Sequence, residues 1–96
     1  MALQFEWDPA KAAANARKHR GVTFTEAMTA FADPLGGLLD DPAHSVGEVR
    51  FILLAQSSRR RLLVVSFTEL ALDRVALISA RPATRAERRT YEEGFR

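Results

Sequence analysis

Between Asp33-Pro34 and Gly36 the chain changes its period, and this limits the architectures open to it. Before that point the apolar residues recur at helical spacing. After it they come in short, strand-length runs joined by links too brief for crossover helices. Val49 to Gln56 alternates, with Val49, Phe51, Leu53 and Ala55 on one face and Arg50, Ile52, Leu54 and Gln56 on the other. Ser57 to Arg60 is a tight polar connection. Leu62 to Glu69 is a nearly all-apolar strand, and Arg74 to Ala80 a third. Leu38-Leu39-Asp40 reads as a short edge strand. Strands linked this closely pair antiparallel, since a parallel return needs a dozen residues or more.

The first third reads differently. Leu3-Gln4-Phe5-Glu6-Trp7 alternates like a half-buried strand, and a strand-borne Trp7 belongs with the core. Asp8 offers an N-cap carboxylate with Pro9 at the first helical position. The helix runs to Lys18-His19-Arg20, whose charges suit a helix C-terminus, and Gly21 supplies the left-handed stop. Thr23-Phe24-Thr25-Glu26 predicts a capping box for a second helix, ended by Asp33-Pro34. Thr84-Arg85-Ala86-Glu87 predicts another, for a helix ending near Gly94. The order is β-α-α-β-β-β-β-α, an α+β domain over residues 1–96. The two N-terminal helices should pack on the face of an antiparallel sheet lined by Phe51, Leu53, Leu63, Val65 and Phe67. The opposite face should be more polar, carrying Arg50 and Ser66. The last helix, with few apolar residues, should be shallowly seated.

Composition narrows the chemistry. There is no cysteine, and two histidines leave little from which to build a structural metal site, so no metal or cofactor is expected. The longest apolar run, Leu62 to Phe67, is far too short to span a membrane, and no signal peptide is evident, so a cytoplasmic chain is expected. Residues 1–48 carry four Lys/Arg against seven Asp/Glu, whereas residues 49–96 carry ten Arg against five Asp/Glu. Arginine's planar fork matches phosphate and carboxylate oxygens, so the second half points to a polyanion or an acidic partner surface.

Phe5-Glu6-Trp7-Asp8-Pro9-Ala10-Lys11, Asn15, Lys18-His19, Gly21-Val22, Phe24 and Glu26-Ala27 together resemble the N-terminal signature of the BrnT family. Phe31-Ala32-Asp33-Pro34, Asp41-Pro42-Ala43-His44-Ser45, Gly47-Glu48, Arg50, Leu62-Leu63-Val64-Val65 and Ile78-Ser79-Ala80-Arg81 continue it. Ala83-Thr84, Glu87-Arg88-Arg89 and Tyr91 close it. The resemblance implies a RelE-like fold, metal-independent RNA cleavage that inhibits translation, and neutralisation by a BrnA-like ribbon-helix-helix antitoxin. Operator DNA would be reached only through that antitoxin. Homodimers and heterotetramers with the antitoxin are both open.

RNA cleavage needs a base for the 2′-OH proton, an acid for the leaving 5′-oxygen and cations for the phosphorane charge. His44, Glu48, Arg50 and Arg81 are the catalytic candidates. The arginines serve phosphate charge, and proton transfer falls to His44 or Glu48. The plainer reading is a turn capped by His44 and Ser45, followed by a same-face Glu48–Arg50 ion pair. Lys11, His19, Arg61, Arg85, Arg88 and Arg89 are candidates for gripping RNA or antitoxin, against a plainer reading as solvated charge. The family pattern carries basic residues where Leu70, Ala76 and Pro82 stand here, and a glycine where Arg60 stands. These departures raise a second function, that of a catalytically weakened homologue that binds antitoxin and acts as co-repressor.

Overall fold

Strand β4 (Leu62–Ala71) is the axis of the protein, and its alternation decides what lies on either side. The computed structural model describes residues 3–39 and 49–95. The elements are β1 (Gln4–Glu6), α1 (Pro9–Lys18), α2 (Phe24–Ala30), β2 (Gly37–Leu39), β3 (Phe51–Gln56), β4, β5 (Arg74–Pro82) and α3 (Arg85–Glu93). The order is the expected β-α-α-β-β-β-β-α.

The five strands form one sheet in the order β1-β5-β4-β3-β2. The meander β2-β3-β4-β5 is antiparallel, as the short links require. β1 differs: it joins β5 in parallel, with Phe5 opposite Val75, and makes the sheet mixed. The parallel approach is permitted because α1, α2 and three strands separate the two elements in sequence. β4 and β5 run longer than their periodicity suggests, to Ala71 and Pro82, because Leu72-Asp73 alone turns the hairpin.

Leu63, Val65 and Phe67 point to the α1/α2 face, where Val22, Phe24 and Ala27 cover them together with Val75, Leu77 and Ala80. Phe51 and Leu53 pack at the margin, as expected. Rings of Phe5, Phe31, Phe67 and Phe51 follow one another across this face, with centroids 5.0, 5.0 and 5.5 Å apart. Asn15, buried on α1, gives its side-chain amide to the carbonyls of Val22 and Ala80 and accepts the Ala80 N–H, at 3.1, 2.7 and 3.0 Å. It thus supplies the β5 edge with the hydrogen bonds that β1 is too short to reach.

The opposite face is more apolar than the sequence suggests. Leu54, Leu62 and Val64 form a second buried cluster, closed by Ala83, Tyr91 and Phe95. Helix α3 itself buries no residue. It is started by a reciprocal Thr84/Glu87 capping box and stopped by Gly94 at φ 90°. The Phe95 ring lies over Gly37, where a Cβ would come within 2.9 Å of it. Thr23 caps α2 by accepting the Glu26 N–H, but no reciprocal box forms, because the Glu26 carboxylate turns inward. Similarly, α1 ends at His19, so the left-handed position after the cap is Arg20 at φ 55°, followed by Gly21 at φ 74°.

Candidate functional site

Parallel pairing of β1 brings Glu6 opposite Ala76, and the chain turns immediately into α1. Asp8 caps that helix by accepting the Ala10 N–H at 2.8 Å, which sets Lys11 one turn in. From the other side, Thr68 donates its hydroxyl to the Val49 carbonyl at 2.9 Å and fixes the approach of Arg50 to β3. These elements enclose a cleft of about 470 Å³ whose walls include Trp7, Lys11, Arg50, Thr68, Leu70 and Ala76. Lys11 and Arg50 are exposed there. Trp7 serves two purposes: it packs against the core, its ring edge-on to Phe24 at 5.9 Å, and it also lines the cleft.

A second cleft, of about 420 Å³, lies where α1 ends beside the β5–α3 junction, lined by Lys18, His19, Arg20, Arg81, Pro82 and Thr84. Arg81 donates to both Glu87 oxygens at 2.8 Å. The Arg81 guanidinium holds the Glu87 carboxyl down at about 2, helped by the Thr84 N–H, and Glu87 in turn raises Arg81 further above its usual value. Arg81 stands opposite Val64 and Ala76 opposite Thr68, four residues along β4 and so roughly 13 Å apart. Arg50 and Arg81 therefore line different clefts.

Arg61 is committed elsewhere. Its guanidinium grips both oxygens of Glu26, whose side chain is 3% exposed, and donates to the Arg20 carbonyl at 3.1 Å. Ser57 donates to the same carboxylate at 2.7 Å. Hydrogen bonding from Arg61 keeps Glu26 below the usual carboxylate range against the burial that would raise it. Arg85, Arg88 and Arg89 are exposed on α3 and meet no carboxylate among the described residues. His19 is half-buried at the end of α1. His44 and Glu48 lie outside the described residues. Among those described, no three His, Asp or Glu side chains gather as a metal site would require, and no helix is long and apolar enough to cross a membrane.

Leu70 and Ala76 both line the Arg50 cleft, Pro82 lines the Arg81 cleft, and Arg60 sits at φ 64° in the turn.

Residues 7–87 match the family described as the ribonuclease toxin, BrnT, of type II toxin–antitoxin systems. The chain belongs to the BrnT family. The crystal structure of the Brucella abortus ribonuclease toxin, BrnT, superimposes with a TM-score of 0.67 at 21% identity, over 88% of this chain and 100% of that one. At that identity the likeness shows a shared fold. A comparison with proteins of curated function found no match. As a BrnT-family chain, the protein is built as one partner of a toxin–antitoxin pair.

The Asp33 junction was not read from the sequence. The Asp33 carboxylate accepts from the Leu35 and Gln56 N–H groups at 2.9 and 2.8 Å and from the Tyr91 hydroxyl at 2.6 Å. It tethers α3 to the α2–β2 loop. Burial raises Asp33, but these three donors outweigh it and hold the carboxyl below its usual value, while Tyr91 is pushed up to about 12 by the carboxylate it faces. Asp33-Pro34 signalled only a helix end, and nothing in the spacing ties position 33 to position 91.

Proposed function

We propose that this chain is the toxin of a type II pair, a metal-independent endoribonuclease that cuts RNA in the cleft between α1 and the β3–β5 face and so halts translation. The observation that carries this reading is the convergence, in a BrnT-family chain, of Lys11 and Arg50 with the Trp7 ring on one open cleft. Cleavage follows if a base removes the 2′-OH proton, the 2′-oxygen bonds to phosphorus, and the P–O5′ bond breaks as an acid protonates the 5′-oxygen. Arg50 and Lys11 stabilise the charge that develops on the phosphate oxygens, since neither is a base near neutral pH. Proton transfer is assigned to His44 or Glu48, the histidine being preferred for its ordinary pKa. Arg81, already paired with Glu87, contributes through the second cleft. A BrnA-like antitoxin neutralises the toxin in the cytoplasm.

The test is cleavage of single-stranded RNA by purified protein in EDTA. Removing a positioned charge stabiliser costs ~100- to 1,000-fold in rate, so Arg50→Ala should lower cleavage by that factor and abolish growth arrest on induction. Leu70 and Ala76 favour a second reading, because they line the same cleft with side chains that carry no charge. On that reading the protein only pairs with its antitoxin and assists repression. Wild-type protein that cuts no RNA, arrests no growth and still binds its antitoxin would establish it.

A further inference from the structure

Among the described residues, three that are not glycine hold a left-handed backbone: Arg20 at φ 55°, Arg60 at φ 64° and Phe95 at φ 60°. Phe95 has a reason, since its ring closes the second cluster over Gly37. The two arginines have no such return. Both are exposed, and neither side chain has a partner among the described residues. Glycine would hold either backbone at no steric cost, whereas an L side chain there is strained. Strain held at an exposed, unpartnered cation points away from the fold and toward what the cation meets.

The two positions are neighbours. Arg60 closes the turn from Ser57 to Arg61, its N–H donating to the Ser57 carbonyl at 2.9 Å, and Arg61 donates to the Arg20 carbonyl at 3.1 Å. The Ala83 N–H bonds to the Leu62 carbonyl at 2.9 Å, which sets the start of α3, with Arg85 and Arg88, beside the same turn. Three separate segments thus bring their cations to one end of the sheet. Two of the nearby carboxylates are already ion-paired, Glu26 with Arg61 and Glu87 with Arg81, while Asp33, whose donors are neutral, keeps its charge.

We propose that this cationic end, centred on Arg20 and Arg60, is a docking surface for the phosphate backbone of single-stranded RNA, separate from the cleft at Arg50. Phosphate is favoured over an acidic protein segment because a protein interface needs an apolar centre. Of the exposed large apolar side chains among the described residues, Leu3, Val49, Leu70 and Leu72 stand at the other end, and Leu35 and Leu38 on the α2–β2 loop and β2; none is on the segments that carry Arg20, Arg60, Arg85 and Arg88. A polar, strongly positive surface is what backbone contacts require. Arg50 precedes β3 and Arg60 follows it, so roughly 20 Å of strand separates anchor from cleft. The choice of RNA rests on the cleavage reading above; the surface and its strain do not.

The experiment pairs stability with binding. The probe is a fluorescent 2′-O-methyl oligoribonucleotide, which cannot be cut through its 2′-oxygen, and the variant is Arg20→Gly/Arg60→Gly. Relief of strain should raise Tm by about 4 °C or more, while loss of the charges weakens binding about tenfold. The slope of log K against log salt should become shallower by about 1.4, two contacts at about 0.7 each. Arg60→Lys should bind within about twofold of wild type, because it keeps the charge. A double variant with unchanged affinity and slope overturns the proposal, as does wild type that fails to bind the probe. Tighter binding of a polyglutamate peptide than of the oligonucleotide would instead assign the surface to an acidic protein. Wild type that binds the probe through Arg20 and Arg60 yet cuts no unmodified RNA would fail the catalytic reading alone.

Discussion

On the face covered by α1 and α2, Val22, Ala27, Leu63 and Val65 are wholly out of reach of water and Phe24 nearly so, whereas on the face crossed by α3 the covering helix buries none of its own residues. Each face also carries an arginine–glutamate pair. Arg61–Glu26 locks the β3–β4 turn to α2 with the carboxylate at 3% exposure, while Arg81–Glu87 ties α3 to β5 with 38% and 22% of its two side chains exposed. The closed face holds the larger buried cluster and so more of the stability, and the other is only partly covered. Beyond the reach of α3, Ser66, Thr68 and Ala76 lie half-exposed on the sheet beside Arg50, where the cleft proposed to take RNA is open to solvent. A single β-sheet thus separates the two demands, because alternate residues of β4 serve opposite sides.

The largest effect should come from the closed face. Truncating a buried phenylalanine costs ~3–5 kcal/mol, a large share of the ~5–15 kcal/mol that holds a domain together. We expect Phe24→Ala to fall in that range by denaturant unfolding, followed through the fluorescence of Trp7, whose ring meets Phe24. Phe95→Ala, on the α3 face, should cost about 1–2 kcal/mol, because its ring is only partly buried. Equal losses would erase the distinction between the faces.

The two ion pairs give a sharper version. Arg61→Ala leaves Glu26 buried with Ser57 as its remaining side-chain donor, and breaking a buried pair costs ~3–5 kcal/mol. We expect about 3 kcal/mol, the low end, since Arg61 itself is 32% exposed. Arg81→Ala should cost about 1 kcal/mol, screened by solvent on both partners. If Arg81→Ala proves the costlier, the second pair is a structural clamp, and the role of Arg81 in the second cleft must be reassigned.

The element order, the antiparallel meander and the closed face were legible in the sequence because they rest on local period and on short links. Val49 to Gln56 and Leu62 to Glu69 announce which residues face α1 and α2. The parallel β1–β5 edge was not legible, since three residues in Gln4–Glu6 carry no signal of partner or direction. Glu26 read as half of a capping box for the same reason: spacing shows that it can reach back to Thr23, not that Ser57 and Arg61 compete for it from 31 and 35 residues away. Of the candidate site, Lys11 and Arg50 do share a cleft. The separation of Arg50 from Arg81 depends on strand register, which the residue pattern leaves open. The apolar patch beneath α3 was hidden in the same way: Tyr91 and Phe95 looked too few to seat a helix until Leu54, Leu62 and Val64 supplied the other half.

The smallest expected effect tests how lightly α3 is held. Its docking relies on the Tyr91 hydroxyl donating to Asp33 and on Glu87 accepting from Arg81. A carboxyl depressed by folding adds stability above its unfolded value and loses it on acidification. For Glu87 that loss runs from about pH 4.5 down toward 2. Glu26 is depressed as well, so acid also weakens the closed face and the acid limb does not isolate α3. The alkaline limb does. Tyr91 is the only tyrosine, and folding raises it to about 12 because its protonated form donates to Asp33. That stability is complete below about pH 10 and is lost as pH rises toward 12, when a phenolate would face the carboxylate. We expect α3 to loosen over this window before β4 does, visible as broadening of α3 side-chain NMR signals while those of Leu63 and Val65 persist. Tyr91→Phe should cost about 1 kcal/mol at neutral pH, one hydrogen bond to a charged acceptor partly offset by the two backbone donors that Asp33 keeps. In that variant the alkaline loosening should disappear. If the α3 and β4 signals broaden together in wild type, the two faces unfold as one cooperative unit, and the looseness of α3 is confined to its surface.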